Sequence, residues 1–406
     1  MTIDSPVHRA WLTEHTLGLL EFGRRTPGPR GAQWLDETGA PDPARPVLTW
    51  ITCRTTHVYA LGAMLGVPGA RPVAQASLDA LAGALHDDEH GGWYMSVGPG
   101  DGEVDGTKSA YAHAFVVLAA SSACAAGLDG ARVLLDEALA TLDARFFEAE
   151  HGMHADEWDP AWTRCDPYRG VNANMHAVEA LLAAADVTGE VRWRERALGI
   201  TERVLAWASA HDWRIPEHFD AAWRPQLMLN VEAPEDPFKP FGATVGHGLE
   251  WARLASHLAA ALGARTDLVD AARHLYGRAV ADGWDAGAPT PGFVYTTDWK
   301  GAPVVRARMH WVAAEAIGAA AALLRATGDT AYAQDYARWW DHAATVLIDH
   351  THGSWHHEVD DHGRPDAGVW PGKPDLYHAM GAVLVPRLPL APAMAVAVRD
   401  GLLDRP

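Results

Sequence analysis

Thr244-Val-Gly-His-Gly-Leu-Glu-Trp-Ala-Arg-Leu254 reads as the first turns of a helix. His247, Glu250 and Trp251 stand at i, i+3 and i+4, so their side chains project from one face. A basic group, an acid and a large flat ring together suit a polar, ring-shaped ligand. They equally suit a core histidine beside an apolar tryptophan, and this stretch alone does not separate the two. The rest of the chain does, because helices begin in this manner again and again.

An amphipathic helix over about residues 7–23 is followed by a turn-rich stretch, Thr26-Pro-Gly-Pro-Arg-Gly31 through Pro41-Asp-Pro43, with Pro46 beyond it. Pairs of apolar helical patterns then alternate with Gly/Trp/Asp-rich connectors. The first member of each pair begins near Thr49, Lys108, Asn172, Thr244, Arg308 and Asp375, a period of roughly 60 to 70 residues repeated through the chain. These first members (112–126, 177–187, 254–262 and 312–324 among them) are Ala-rich and apolar nearly all round, so they are expected to be buried on most sides. The second members, such as 131–142 and 330–347 with Tyr336, Trp340 and Val346, are amphipathic and suit an outer layer.

Six of each predict an all-α (α/α)6 barrel, a single domain over 1–406, with the amino-terminal helix completing the outer ring. Short aromatic runs beside Gly/Asp turns, His90-Gly-Gly-Trp-Tyr94, His151-Gly-Met-His154, Asp212-Trp-Arg-Ile-Pro-Glu217, Pro291-Gly-Phe-Val-Tyr295 and His352-Gly-Ser-Trp-His356, predict small β-hairpins in the connectors. Two separate domains would need a linker that the repeat does not leave. A straight solenoid needs polar capping repeats, and 393–398 is apolar.

Bulk properties narrow the function classes. The 406 residues are 48% hydrophobic and 21% charged, enough for a large core. A net charge of −19 argues against nucleic acid and anionic membrane as partners. Cys53, Cys124 and Cys165 are far apart with no C-x-x-C spacing, which fits a reducing cytosol, with Cys53 and Cys124 as small buried fillers. Glu14, His15, Glu21, Arg24 and Arg25 interrupt any signal-peptide core, and no apolar run is long enough to span a membrane, so a cytoplasmic location is expected. Eighteen tryptophans hint at flat faces for sugar rings.

In a ring of this kind the starts of the inner helices meet at one end. Arg54 and His57 lie on the first, Tyr111 and His113 on the second just after Lys108, and Asn172, Asn174 and His176 on the third. His247 and Glu250 open the fourth, and His310, Trp311 and Glu315 the fifth. Asp375, Tyr377 and His378 open the sixth, after Trp370-Pro-Gly-Lys-Pro374. One histidine near a helix start is usually structural; six such placements at repeat spacing predict one polar, aromatic-walled pocket. Helix N-termini there favour developing negative charge. Histidine can take and return a proton near neutral pH, which suits proton transfer beside a carbonyl: aldose–ketose isomerisation or 2-epimerisation through an ene-diol. Glycoside hydrolysis would use a carboxylate pair such as Glu250 and Glu315 and leave the histidines idle. A non-catalytic sugar-binding toroid gives no reason for two histidines and an arginine. His86-Asp-Asp-Glu-His90 and His356-His-Glu-Val-Asp-Asp-His362 carry metal-ligating residue types but read as solvated turns. There is no H-E-x-x-H, no P-loop ending after Gly102, no G-x-S-x-G elbow and no Rossmann fingerprint in strand–helix context.

Gly170-Val-Asn-Ala-Asn-Met-His-Ala-Val-Glu-Ala180, Gly246-His-Gly-Leu-Glu-Trp-Ala-Arg253 and Gly372-Lys-Pro-Asp-Leu-Tyr-His378 resemble the N-acylglucosamine 2-epimerase superfamily, and within it the aldose–ketose isomerase branch of mannose and sulfoquinovose isomerases. The likeness runs over nearly the whole chain. It implies an (α/α)6 barrel working without a metal or organic cofactor on a small-molecule sugar, D-mannose to D-fructose with D-lyxose as a side substrate. Carried over by motif, His378 would move the proton between C2 and C1. His247 would be its acid/base partner and assist ring opening, and Arg54 would stabilise the oxygen at the reacting carbons. Tyr111, Asn172, His176, Glu250, Trp311 and Trp370 would bind the sugar. Sulfoquinovose isomerisation, with Lys373, Arg306 or Arg308 meeting the sulfonate, and 2-epimerisation are the alternatives that the motifs leave open.

Overall fold

The computed structural model describes residues 2–100 and 102–405. Thirteen helices dominate it, α1 (Pro6–Phe22), α2 (Thr49–Met64), α3 (Ala70–Leu81), α4 (Ala110–Ala125), α5 (Ala131–Thr141), α6 (Val171–Thr188), α7 (Val191–Ala210), α8 (Val245–Ala261), α9 (Thr266–Gly283), α10 (His310–Thr327), α11 (Ala331–His342), α12 (Tyr377–Leu384) and α13 (Met394–Arg399). The even-numbered helices form the inner ring: α2 packs on α4, α4 on α6, α6 on α8, α8 on α10, α10 on α12, and α12 back on α2. Each has an outer partner, α3, α5, α7, α9 and α11 in turn, and α1 serves α12. This is the (α/α)6 barrel that the repeat predicts. The last helix, α13, packs on α2, α4 and α6, which gives the apolar 393–398 segment a buried seat instead of a solenoid cap.

Why these segments take these places follows from their side chains. In α4 only Tyr111, at the start, and Cys124, at the far end, fall short of full burial, so Cys124 is a half-buried residue and Cys53 the true filler. Alanines let inner helices approach closely; α10 buries Ala313, Ala314, Ala316, Ala319, Ala320, Ala321 and Ala322. An outer helix buries one stripe: in α9 this is Leu268, Ala271, Ala272, Leu275, Tyr276 and Ala279, the 3.6-residue period of a half-wet helix. Most of the tryptophan count is spent here. Trp93, Trp251, Trp339, Trp340 and Trp355 are among the largest fully buried side chains. Trp11 on α1 meets Trp340 edge-on at 5.1 Å, and Trp355 Nε1 donates to His15 Nε2 at 2.7 Å, which holds α1 in the outer ring.

The connectors differ from the expected hairpins in part. Local hairpins do form, at Phe147–Glu148 with Met153–His154 and at Trp284–Asp285 with Gly292–Phe293. The dipeptide before each of five inner helices, however, pairs with the connector that leaves the next outer helix: Val47↔Val97, Lys108↔Trp158, Arg169↔Phe219, Ala243↔Thr297 and Arg308↔Val359. Ion pairs add a second stitching, toward the preceding helical pair. Lys108 bonds Asp87 at 2.6 Å, Arg169 bonds Glu148, Arg306 bonds Asp285, and Lys373 bonds Asp349 at 2.5 Å. Each ties the approach to an inner helix to the turn just after the preceding outer helix. Lys108 and Lys373 are wholly buried.

Removing one member of such a buried pair leaves an uncompensated charge. Lys373→Met is therefore expected to cost about 3–5 kcal/mol of unfolding free energy by urea titration; a loss below 1 kcal/mol would mean that the clamp carries no weight. A second expectation concerns pH. Burial, opposed in part by Glu179 at His57 and by Asp375 at His357, lowers His15, His57, His257 and His357 to about 4. Each contributes stability that is fully present above the unfolded histidine value of about 6.5 and lost as pH falls toward 4. The urea midpoint should fall steadily across that window, before carboxylate titration sets in.

Candidate active site

A cavity of about 740 Å³, counted to its open mouth, lies where the inner helices begin. Arg54 of α2, Tyr111 of α4, Asn172 and His176 of α6, His247 and Glu250 of α8, Trp311 of α10, Trp370 of the loop before α12, and His378 of α12 all line it. So do Trp50, Tyr295, His310, His357 and Asp375, together with Pro237, Phe238 and Pro240 of the α7–α8 connector.

Other residues flagged in the sequence are elsewhere. Trp251 is fully buried and faces the core, so the opening triplet contributes two members, not three. His113 is a structural residue; its Nδ1 donates to the Ser109 carbonyl and its Nε2 accepts the Trp93 N–H. Asn174 bonds the backbone of His154 and Gly170. His57 pairs with Ser122 at 2.7 Å, beneath the cavity.

Two of the cavity histidines, His247 and His378, are held by carboxylates. His247 Nδ1 is 2.9 Å from Glu217 Oε1, and His378 Nδ1 is 3.0 Å from Glu315 Oε1. A carboxylate only accepts, so each pair places the proton on Nδ1 and leaves Nε2 with its lone pair. Trp311 lies between the two rings, 5.4 Å from His247 and 5.6 Å from His378, tilted 38° and 37° to them. Gly246 makes this possible, because a Cβ there would meet the Trp311 ring at 2.1 Å.

The remaining electrostatics are set by burial and by two arginines. Burial opposes the charge of Arg54, but Asp375, Tyr111, Tyr377 and Glu250 more than offset it, so Arg54 stays cationic. It bonds Asp375 and donates to Tyr111 Oη at 2.9 Å, while its Nε has no partner among the described residues. Phe115 and Tyr377 stack around it at 4.4 and 4.8 Å. Burial and repulsion from Glu315 raise Glu250 well above the usual carboxylate range, whereas Arg253 and His378 overcome burial and keep Glu315 low. The neutral form is thus favoured at Glu250 and the ionised form at Glu315. His176 is kept neutral by burial and by Arg54. Its Nδ1, 3.8 Å from Glu250 Oε1, and Asn172 Oδ1 are buried with no hydrogen-bond partner among the described residues.

Two groups have metal-like spacing, His176–Glu179–Glu250, with Glu179 half-buried, and the buried Glu250–Glu315–His378. The Arg253 guanidinium already bonds Glu179, Glu250 and Glu315, so the cationic place among these acids is filled. Asp360–Asp361–His362 lies in a turn, where Asp360 takes the N–H groups of His362 and Arg364. The His86–His90 cluster is likewise structural: His86 bonds Asp88 and Glu137, and Asp87 bonds Lys108. The cations suggested for a sulfonate do not line the cavity. Lys373 and Arg306 are taken by Asp349 and Asp285, and Arg308 is buried.

This cavity, with its carboxylate-held histidines, arginine and tryptophan face, sits in a chain that belongs to the N-acylglucosamine 2-epimerase family, whose profile matches residues 31–382. Two relatives named D-mannose isomerase are close in sequence. That of Thermobifida fusca is 50% identical over 96% of this chain and 97% of its own, and that of Pseudomonas cannabina pv. alisalensis 44% identical over 98% and 96%. A crystal structure of a D-mannose isomerase superposes with TM-score 0.86 at 27% identity, covering 94% of this chain and 97% of that one. Cellobiose 2-epimerase from Spirochaeta thermophila shares the fold, with TM-score 0.79 at 21% identity over 97% of both chains.

Gly246→Ala must push the Trp311 ring aside. It is expected to cost about 1–3 kcal/mol by overpacking, and a crystal structure should find the indole displaced from between the histidines. An unmoved ring at wild-type stability would remove this account of the glycine.

Proposed function

We propose that this protein is an aldose–ketose isomerase, a single-domain cytoplasmic enzyme that interconverts D-mannose and D-fructose, with D-lyxose and D-xylulose as a side reaction. The observation that carries the reading is the pair of histidines, each with Nδ1 on a carboxylate and Nε2 free, flanking one tryptophan face in a cavity that also holds Arg54. The names of the 50% and 44% identical relatives support the choice of sugar.

The open-chain aldose would lie against Trp311 with C1 and C2 between the two imidazoles. His378 Nε2 takes the proton from C2, giving a cis-ene-diol whose oxygen charge Arg54 stabilises. His378, now protonated, returns that proton to C1, while His247 moves a proton between O2 and O1 and assists opening of the cyclic sugar. Glu217 and Glu315 stabilise each imidazolium as it forms, the part an acid plays behind a catalytic histidine. Neutral Glu250, His176, Asn172 and Tyr111 hold the hydroxyls.

In deuterated water with D-mannose, the expected product is D-fructose carrying some solvent deuterium at C1. His378→Asn and His247→Asn should each lower kcat by about 10²–10⁴-fold, and the rate should survive a chelator. Formation of an epimeric aldose with little ketose, or full activity in His378→Asn, would overturn the reading.

A further inference from the structure

Arg253 closes the Gly246–Arg253 motif, yet it does not line the substrate cavity. It lies beneath it, 6% exposed, beside a smaller void bounded by His57, Glu179, Glu315 and Tyr377. Its three nitrogens reach three different carboxylates: Nε donates to Glu315 at 2.7 Å, Nη2 to Glu250 at 3.2 Å and Nη1 to Glu179 at 3.3 Å. Room is made for it, because a Cβ on Gly318 would come within 3.1 Å of its Cδ. Buried ion clusters of this kind are poor stabilisers compared with apolar packing, so stability alone does not account for it.

We propose that Arg253 is a positioning residue that decides which of two neighbouring acids carries a proton, and thereby keeps the His378 proton on Nδ1 and its Nε2 free to act as a base. Glu315 is the link. One of its oxygens takes Arg253 Nε and the other takes His378 Nδ1. Facing Glu315 are Arg253 and Glu250 from α8, Glu179 from α6, His378 and Tyr377 from α12, and His57 from α2. Glu250 and Glu315 are close enough to share a metal-sized space, so both cannot ionise without compensation. The short Nε bond settles the matter in favour of Glu315. Without it, burial pushes Glu315 toward its neutral form. A neutral Glu315 no longer fixes the His378 tautomer, and the protein loses its base while the cavity keeps its shape. The kinetic part of this inference rests on the isomerase reading above; the protonation part does not.

The test compares Arg253→Gln and Arg253→Lys with wild type, using kcat, KM and the pH profile of kcat on D-mannose. Infrared spectroscopy of the sugar-free protein at neutral pH reads protonated carboxyl groups, with Arg253→Gln/Glu315→Gln to assign any new band. Arg253→Gln should lower kcat by about 10- to 100-fold with KM changed less than about threefold. Its acidic limb should move to higher pH, because the Glu315 pKa rises, and a protonated-carboxyl band absent from the double variant should appear. Arg253→Lys restores a charge beside Glu315 and should recover much of the rate and move the limb back. Folded Arg253→Gln with wild-type kcat and an unmoved limb would overturn the proposal; so would equal loss in both variants with wild-type profiles, the mark of a merely structural residue. If Arg253→Gln does not fold, Arg253→Lys decides by itself: a partly displaced limb supports the proposal, and an unmoved limb overturns it. If D-mannose is not turned over by wild type, the isomerase reading fails, and the infrared band alone still confirms or refutes the proton assignment.

Discussion

A helix enclosed by other helices on every side can carry a polar side chain along its middle only where a partner satisfies it, as Arg253 and His57 are satisfied. The inner ring of this barrel lives under that constraint. Along their middles α4 and α10 present alanine, leucine and valine to their neighbours, since any unpaired polar group there would be left dehydrated. At their starts, next to the connectors, the constraint relaxes, and Arg54, Tyr111, Asn172, His247, Trp311 and His378 meet in one cavity. The site is what remains when six apolar helices share an axis and place their exceptions at the same end.

Within that cavity, burial does most of the electrostatic work and a few opposite charges correct it. Left to desolvation, every ionisable group would be neutral. Arg54 escapes through Asp375, and Glu315 through Arg253; at Glu250 and His176 burial prevails and favours the neutral form. The result separates functions among similar residues. Two carboxylates hold imidazoles, one carboxyl group favours its neutral form, and two histidines out of several present Nε2 beside the same tryptophan.

The ring itself was legible in the sequence because its signal is periodic: all-round apolar helices alternate with striped ones, and both patterns survive without knowledge of contacts. The polar exceptions at helix starts were legible for the same reason. What lay out of reach was pairing across the chain. Nothing in the spacing joins Glu217 to His247 or Glu315 to His378, because these contacts arise from the curvature of the ring. Trp251 misleads since i+4 spacing places a residue near a face but does not say where that face stops. Lys373 and Arg306 looked like ligand cations, and their bonds to Asp349 and Asp285 become readable only once the cation-before-helix, acid-after-helix pattern is seen in three dimensions.

The paired dipeptides that tie the start of each helical hairpin to its end give the barrel a modular character. Each module satisfies itself through nearby chain, with contact order kept low, and gains stability from its neighbours in increments, as in repeat proteins. The seam of α1 on α12 is different. It joins segments separated by most of the polypeptide and bears the full loop-closure entropy. Since the cavity draws on all six modules, it exists only when that seam is shut. Helical content therefore reports on the modules, whereas competence at the cavity reports on the completed circle.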